Sequence, residues 1–190
     1  MTYISAIILA AGKSTRMGQQ KMLMPWGEST VLEKVIQTLY DSNISDIILV
    51  TSPEISSKVK YKDLKIVVNN DSEMLRSVQL GLEAQKASAE GTLICLGDQP
   101  QIEEGSVRSV CEAFQKSLSK LVVPSYQMRR GHPWLVEKSL WNEILAMQVG
   151  TMREFLNRHA NEIKYVNLST PTILQDLDTP EDYLKYKPSM

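Results

Sequence analysis

The sequence has few cysteines and no excess of charge of either sign. Its two cysteines, Cys95 and Cys111, exclude a disulfide-rich scaffold and a cysteine metal site, and they are typical of a reducing compartment. The formal net charge is -1, which argues against a general attraction to nucleic acid or to anionic membranes. We therefore expect neither nucleic acid nor a membrane as a partner.

Long apolar runs are absent as well. Residues 4–11 form a stretch of apolar and small side chains that is much shorter than the roughly 20 residues needed to span a bilayer. No basic segment precedes this stretch, as it would in a signal peptide, so we expect a cytoplasmic protein. The sequence contains no repeat, low-complexity tract or linker, and we expect a single domain over residues 1–190.

Short apolar runs alternate with helical patterns over most of the sequence. The predicted strands are residues 3–9, 46–51, 64–68, 92–96, 120–124 and 163–168. The predicted helices are residues 31–39, 74–85, 104–117, 136–145 and 151–159, followed by a terminal helix capped by Thr179. In the second of these helices, Met74, Val78 and Leu82 are spaced for one apolar face. This alternation predicts an α/β fold with a mainly parallel sheet and right-handed crossovers.

The most informative stretch is a glycine-rich, cationic loop directly after the first predicted strand. Gly12 and Gly18 allow the backbone to turn sharply and to approach a ligand closely. The candidate anion-binding side chains are Lys13, Ser14, Thr15, Arg16 and Lys21. The loop is suited to the phosphates of a nucleotide, and a solvated basic loop is the alternative. Its glycine spacing matches neither a Walker A loop nor a G-x-G-x-x-G motif.

Carboxylates follow at two later points of the sequence. Asp98 comes directly after a predicted strand, where it can hold Mg²⁺ beside a triphosphate or hydrogen-bond its own turn. Asp176 and Asp178 precede the terminal helix, where they can complete a magnesium site or stabilise the helix through their negative charge at the positive end of its dipole. Because ligands collect at the carboxyl ends of parallel strands, we expect Asp98 and the cationic loop to share one rim of the sheet.

The two histidines differ in context. His132 lies in a predicted turn beside Arg129 and Arg130, which can bind a phosphate monoester or form an exposed basic hairpin. His159 lies in a helical pattern and is predicted to be a surface or capping residue.

Four motifs, taken together, resemble the molybdenum cofactor nucleotidyltransferases, and most of all their cytidylyltransferase branch. The motifs are Leu9-Ala10-Ala11-Gly12-x-Ser14-x-Arg16-Met17-Gly18-x-x-Lys21, Gly97-Asp98-Gln99-Pro100, Gly131-His132-Pro133 and Asp176-Leu177-Asp178-Thr179-Pro180-Glu181-Asp182. They follow the family's order and cover nearly the whole chain. The first motif alone marks the wider class of nucleotidyltransferases, and the last two narrow it.

The resemblance implies a Rossmann-like, three-layer nucleotidyltransferase fold with a mainly parallel mixed sheet. It implies an Mg²⁺-dependent enzyme that transfers a nucleotide, CMP from CTP, to the phosphate of molybdopterin and releases pyrophosphate. Ala11 favours CTP, since the guanylyl branch usually carries a second glycine there. Glu73 and Arg76 depart from the family pattern after the third strand, and a carboxylate near the base or ribose can alter nucleotide preference.

Site roles also follow from the resemblance. The implied catalytic residues are Lys21, Arg16 and Asp98, the implied metal ligands are Asp98 and Asp178, and the implied pterin-side residues are Gly131 and His132. The implied nucleotide-binding residues are Leu9, Ala10, Ala11, Gly12, Ser14, Arg16, Lys21 and Ser77. We expect replacement of Lys21 by alanine to impair the chemistry and not the fold, because a loop lysine has little packing to lose.

Other functions stay open at the level of sequence. They are a guanylyltransferase of the same cofactor, a nucleotidyltransferase for sugar or alditol phosphates, and a non-catalytic protein that delivers nucleotide or cofactor. The partners expected for the first interpretation are CTP, molybdopterin and a recipient molybdoenzyme.

Overall fold

Parallel strands joined by helices dominate the computed structural model, which describes residues 2–59, 61 and 64–188. The strands are β1 Ile4–Ala10, β2 Pro25–Trp26, β3 Ser29–Thr30, β4 Ile47–Thr51, β5 Lys65–Val68, β6 Gly91–Leu96, β7 Leu121–Tyr126, β8 Arg129–Arg130, β9 Trp134–Glu137 and β10 Ile163–Asn167. The helices are α1 Val31–Asp41, α2 Pro53–Ser56, α3 Met74–Glu83, α4 Glu104–Lys116, α5 Trp141–Ala146, α6 Met152–Arg158 and α7 Pro180–Tyr186. Short 3₁₀ helices cover Thr15–Met17, Lys21–Leu23, Lys138–Leu140, Ala160–Glu162 and Pro171–Leu174.

The main sheet has the strand order β10-β7-β9-β6-β1-β4-β5, and β8 extends it by pairing with β7. Strand β1 lies inside the sheet and pairs in parallel with both β4 and β6. Strand β9 runs antiparallel between β6 and β7. The predicted α/β fold with a mainly parallel mixed sheet is therefore confirmed.

Two layers of helices cover the two faces of this sheet. One face packs against α1 and α4 through side chains such as Leu32, Ile36 and Val110. The other face packs against α3, α5 and α6 through side chains such as Val78 and Phe155. Because both faces are covered, every residue of β1 is buried, as the continuous apolar run Ile4–Ala10 requires.

A third and smaller apolar cluster joins the two ends of the chain. It comprises Met17, Met24, Trp26, Val31 and Leu177, with Tyr183 and Tyr186 packed against it. The hydroxyl of Tyr183 also donates to the carbonyl of Pro25 at 2.6 Å. This cluster brings the loop after β1 against the segment before α7.

Most of the predicted elements are present, and their caps follow the expected chemistry. The first, fourth and fifth strands, for example, begin and end within two residues of the prediction. Thr30, Thr151 and Thr179 each form a capping box at the start of a helix. Cys95 is buried in the core, as expected for an apolar strand.

Two expectations were wrong. The predicted helix over residues 136–145 begins later, because Trp134–Glu137 forms β9 and the α-helix starts at Trp141. Met74, expected on the apolar face of α3, is 43% exposed, and Leu75 is buried in its place.

None of the helices in the described ranges has the length and apolar character needed to span a bilayer.

Candidate functional site

The carboxyl ends of β1 and β6 lie side by side at one rim of the sheet. The two strands are in parallel register up to the pair Leu9 and Leu96, so the segments that follow both leave at this rim. The backbone nitrogen of Gly97 donates to the carbonyl of Leu9 at 2.9 Å. A Cβ at Gly97 would lie 3.1 Å from that oxygen, so glycine permits this close approach.

The cationic loop and the predicted acidic residues converge at this rim. The ammonium of Lys21 lies 2.5 Å from Oδ2 of Asp98 and 3.3 Å from Oδ1 of Asp178. The guanidinium of Arg16 lies 3.2 Å from the other oxygen of Asp178. Lys21 and Asp98 are 11% and 15% exposed, whereas Arg16 and Asp178 are 69% and 43% exposed. The site therefore has a buried ion pair at its base and an open, charged entrance.

Local hydrogen bonds explain how Lys21 reaches this position. Ser14 adopts a left-handed backbone conformation with φ of 50°, and its hydroxyl oxygen accepts from the backbone nitrogen of Lys21 at 3.2 Å. The Ser14 hydroxyl donates to Oε1 of Gln20 at 2.8 Å. A 3₁₀ turn then begins at Lys21 and directs its side chain inward. The expectation that Lys21 has little packing to lose is wrong, since the residue is 8% exposed.

Asp176 adds a third carboxylate beside this ion pair. Its Oδ1 accepts a hydrogen bond from Nε2 of Gln99 at 2.5 Å. Burial and the negative charge of Asp98 raise the pKa of Asp176 to about 6. The backbone of the same segment is fixed as well, because the nitrogen of Leu177 donates to the carbonyl of Asp98 at 3.0 Å.

The donor set at this rim suits a divalent cation that also has ligands from a substrate. Asp98 and Asp178 each have an oxygen within 3.3 Å of the same lysine nitrogen, so their carboxylates face one point. Among the described residues, no three His, Cys, Asp or Glu side chains are arranged to hold a metal ion by themselves. Magnesium in nucleotide enzymes is usually held by one or two carboxylates together with substrate phosphates. The two aspartates fit this pattern.

The remaining predicted nucleotide-binding residues offer mainly backbone groups. Leu9, Ala10 and Ala11 are buried, while a Cβ at Gly12 would meet no atom within 4 Å. Ser77 is 2% exposed, and its hydroxyl oxygen accepts from Nδ2 of Asn69 at 2.8 Å. The hydroxyl of Ser77 is therefore already used to fix the loop between β5 and α3.

The two arginines before Gly131 lie in a hairpin, apart from the packed side chain of His132. Arg130 donates to the hydroxyl of Tyr165 at 2.9 Å and to Oδ1 of Asn157 at 2.7 Å, and Arg129 is exposed in strand β8. The chain reverses at Gln127 and Met128, before the arginines. Of the two alternatives that the sequence left open for these arginines, this arrangement matches the exposed basic hairpin.

His132 lies in a packed, apolar setting. Its ring stacks on Trp134 with the centroids 4.2 Å apart, and burial lowers the pKa of His132 to about 3. Its backbone nitrogen donates to the carbonyl of Ile173 at 3.1 Å. A Cβ at Gly131 would lie 2.7 Å from Cγ1 of Ile173, so a glycine is needed at this contact. The neutral ring cannot act as a cation near neutral pH.

Several buried polar atoms near this turn have no hydrogen-bond partner within the described part of the chain. They are Nε2 of His132, Nε1 of Trp134, Oε1 of Gln99 and Oε1 of Gln175. The segments that carry them meet at Ile173, whose carbonyl also accepts from Gln99 at 3.3 Å. Unpaired buried polar atoms are uncommon, and a polar ligand is one explanation for a group of them.

Neither the contacts of Gln99 nor the arrangement around His159 was predicted from the sequence. Gln99 follows Asp98 in the motif Gly97-Asp98-Gln99-Pro100, and this adjacency is the sequence feature that could have indicated its importance. His159 caps α6, as predicted, but its side chain is only 14% exposed and contacts Glu143 and Glu162, each at 2.9 Å. Burial lowers the pKa of His159, but the hydrogen bonds to the two glutamates outweigh this effect and raise it.

The fold and the site together define an α/β nucleotidyltransferase, with a glycine-rich loop after the first strand and an aspartate after the fourth parallel strand. The sequence pattern of the MobA-like NTP transferase domain matches residues 6–163, and the chain belongs to this family. The protein is therefore a nucleotidyltransferase, as the motifs implied.

The chain is similar to two proteins named for the molybdenum cofactor and to a solved structure with bound manganese. It is 30% identical to the molybdenum cofactor cytidylyltransferase of Escherichia coli (strain K12), over 98% of this chain and 97% of the relative. It is 30% identical to a probable molybdenum cofactor guanylyltransferase of Natranaerobius thermophilus, over 64% of this chain and 60% of the relative. Rv0371c of Mycobacterium tuberculosis, solved in complex with manganese, superimposes with a TM-score of 0.81 at 24% identity, over 100% of both chains.

Proposed function

We propose that the protein transfers CMP from CTP to the phosphate of molybdopterin, with Mg²⁺ as the metal and pyrophosphate as the second product. The observation that carries this proposal is the convergence of Lys21, Asp98 and Asp178 at the rim where β1 and β6 end. The nearly full-length similarity to a molybdenum cofactor cytidylyltransferase supports the choice of acceptor. A guanylyl relative matches a smaller part of the chain, so GTP is the alternative nucleotide.

The triphosphate is proposed to bind along the loop 12–21. Gly12 leaves its backbone open to a ligand, and Arg16 extends its charge into solvent at the entrance. Ala10 and Ala11 are small and buried, which leaves room for a base beside the end of β1. On this proposal Ser77 acts through Asn69, because their hydrogen bond fixes the loop that follows β5.

Asp98 and Asp178 are proposed to hold Mg²⁺ together with phosphate oxygens of the substrate. When bound, the metal neutralises phosphate charge and makes the α-phosphorus a better electrophile. Lys21, which neutralises both carboxylates in this structure, would then be available to pair with the phosphates.

The chemical step needs positioning and charge more than covalent help. An oxygen of the acceptor phosphate attacks the α-phosphorus in line, the bond to the β-phosphate oxygen breaks, and pyrophosphate leaves. Lys21 and Arg16 stabilise the negative charge that develops on the phosphates, and this electrostatic contribution is usually the largest in such reactions. No side chain has to form a bond to the substrate.

The acceptor is proposed to bind on the side of Gly131 and His132. The unpartnered side-chain atoms of His132 and Gln175 beside this turn are hydrogen-bonding groups without net charge. Such groups suit a pterin, whose ring carries amide and amine functions. We further propose that residues 1–190 act as one domain in the cytoplasm, since the site uses both ends of the chain and both cysteines are free thiols.

The decisive experiment offers molybdopterin and Mg²⁺ with each of the four ribonucleoside triphosphates and identifies the product by mass spectrometry. The proposal predicts a cytidine dinucleotide of molybdopterin and stoichiometric pyrophosphate with CTP. A guanosine product would support the alternative nucleotide. Turnover only with sugar or alditol phosphates would exclude molybdopterin as the acceptor, and tight CTP binding without pyrophosphate would indicate a delivery protein.

A further inference from the structure

Two polar side chains tie the acidic turn after β6 to the segment before α7. Gln99 is 1% exposed, and its Nε2 donates to Oδ1 of Asp176 at 2.5 Å and to the carbonyl of Ile173 at 3.3 Å. Its neighbour Asp98 accepts from the backbone nitrogen of Leu177 at 3.0 Å. The two segments are therefore joined by one side-chain contact and one backbone contact, which neighbouring residues of each segment make.

This connection lies between the two carboxylates that face Lys21. Asp98 is adjacent to Gln99, and Asp178 is two residues beyond Asp176. A change in the contact between Gln99 and Asp176 would therefore alter the spacing of Asp98 and Asp178. Because Oδ1 of Asp176 is already occupied by Gln99, Asp176 is better placed to orient this segment than to bind a cation.

The site needs such a connection because its carboxylates repel one another. Lys21 now neutralises Asp98 and Asp178 at short distance. Once the lysine turns to a phosphate, the two aspartates keep their positions only if the segments that carry them are held by other contacts. Contacts outside the metal ligands typically change metal affinity by about 10- to 100-fold when they are removed.

We propose that Gln99 and Asp176 are positioning residues that hold Asp98 and Asp178 at the spacing that a divalent cation requires. The proposal rests on the cation site assigned under the proposed function. In this proposal neither Gln99 nor Asp176 contacts the cation.

The test compares Mn²⁺ binding to the whole protein, followed through the electron paramagnetic resonance signal of free Mn²⁺. Gln99→Met keeps the length of the side chain and removes both hydrogen bonds. We expect it to weaken Mn²⁺ binding by about tenfold, the lower end of the range for such contacts. The Mg²⁺ concentration for half-maximal turnover should rise by a similar factor, while kcat at saturating Mg²⁺ stays within about threefold.

Gln79 offers a matched control. It is a buried glutamine whose Nε2 donates to the carbonyls of Ile144 and Met147, at 3.1 and 2.8 Å, on the other face of the sheet. Gln79→Met should lose a similar amount of thermal stability and leave Mn²⁺ affinity within about twofold of the original. Asp176→Asn keeps an oxygen that accepts from Gln99, so this variant should leave Mn²⁺ affinity within about twofold of the original. Asp176→Leu removes that oxygen and tests the same contact if Gln99→Met does not fold.

Asp98→Asn separates failure of this proposal from failure of the proposed function. If Asp98→Asn weakens Mn²⁺ binding and Gln99→Met does not, the positioning role is excluded and the cation site stands. If neither variant changes Mn²⁺ binding, both the cation site and the positioning role are wrong. A loss in Asp176→Asn as large as that in Asp98→Asn would make Asp176 a ligand and would also overturn the proposal.

Discussion

The two sides of the candidate site use different kinds of side chain. On the phosphate side, Arg16 and Asp178 are charged and partly exposed, and they pair across the entrance. On the acceptor side, His132 is neutral, stacked on Trp134 and fixed through Ile173. A charged triphosphate needs opposite charge, whereas a ring system can be selected by shape and by uncharged hydrogen bonds. We therefore propose that catalysis is concentrated on the first side and acceptor selection on the second.

The largest effect is expected from loss of a carboxylate on the phosphate side. Asp98→Asn should lower turnover by about 100-fold or more, which is the scale for removal of a key electrostatic group. Steady-state pyrophosphate release with CTP and molybdopterin measures it. Asp46 is a matched control, since it is also a poorly exposed carboxylate paired with a lysine, Lys86 at 3.0 Å, but lies before β4. If Asp98→Asn turned over as fast as Asp46→Asn, the assignment would fail.

Removal of the lysine on the same side should affect both rate and stability. Lys21→Met leaves Asp98 without its partner at a position where it is 15% exposed, so we expect a loss of about 2 kcal/mol in the free energy of unfolding. Turnover should fall by about 10- to 100-fold, because charge on the phosphates is then less well stabilised. Urea unfolding and initial rates test the two effects. A variant with full stability would show that the ion pair does not form in solution.

On the acceptor side, a single methyl group should act through packing. Gly131→Ala places a Cβ 2.8 Å from Cβ of Ile173, and such overpacking costs about 1–3 kcal/mol. Because the carbonyl of Ile173 fixes the backbone of His132, the KM for the acceptor should rise more than the KM for CTP. In Gly105→Ala the new Cβ meets no atom within 4 Å, so this variant in α4 should be neutral or slightly stabilising. Equal effects of the two variants on the KM for the acceptor would contradict the assignment of Gly131 to the acceptor side.

Near neutral pH the smallest effect is that of His132, which emerges only in the pH dependence of stability. His132 stays neutral in the folded state down to its lowered pKa of about 3, whereas the unfolded chain takes up this proton below about pH 6.5. Acidification below pH 6.5 therefore destabilises the protein by up to about 1.4 kcal/mol per pH unit through this residue. His132→Phe should remove that part of the slope.

His159 acts with the opposite sign and serves as the internal reference. Its raised pKa contributes stability below its unfolded pKa, and this contribution is lost as the pH rises through its folded pKa. Urea unfolding of the original protein and of His132→Phe at pH 5, 6 and 7.5 would separate the two. An identical slope in both proteins would show that His132 is accessible to protons in the folded state.

The sequence predicted the parts of this protein that depend on local patterns. The buried run Ile4–Ala10 agrees with the strand predicted over residues 3–9, and Thr179 caps α7 as predicted. Strand β9 was missed because its four residues gain their place from pairing with β6 and β7, which are distant in sequence. Such non-local pairing overrides the helical pattern that begins at Val136.

The same distinction holds for the site. Lys21 and Asp98 were predicted from the loop and turn that follow two strands, and Asp178 from its place before the terminal helix and from the resemblance; the structure brings these residues together. Burial could not be predicted, because the position of Lys21 depends on the turn made by Ser14, and that of His132 on its packing against Trp134. Gln99 and Asp176 acquire their contact only when two segments far apart in the chain meet.

Anomalous diffraction from crystals that contain CTP and Mn²⁺ tests the central claim most directly. The account predicts one strong manganese peak bound by carboxylate oxygens of Asp98 and Asp178 and by phosphate oxygens, with the triphosphate along residues 12–21. A manganese peak without contact to Asp98, or a triphosphate bound away from Lys21, would contradict it.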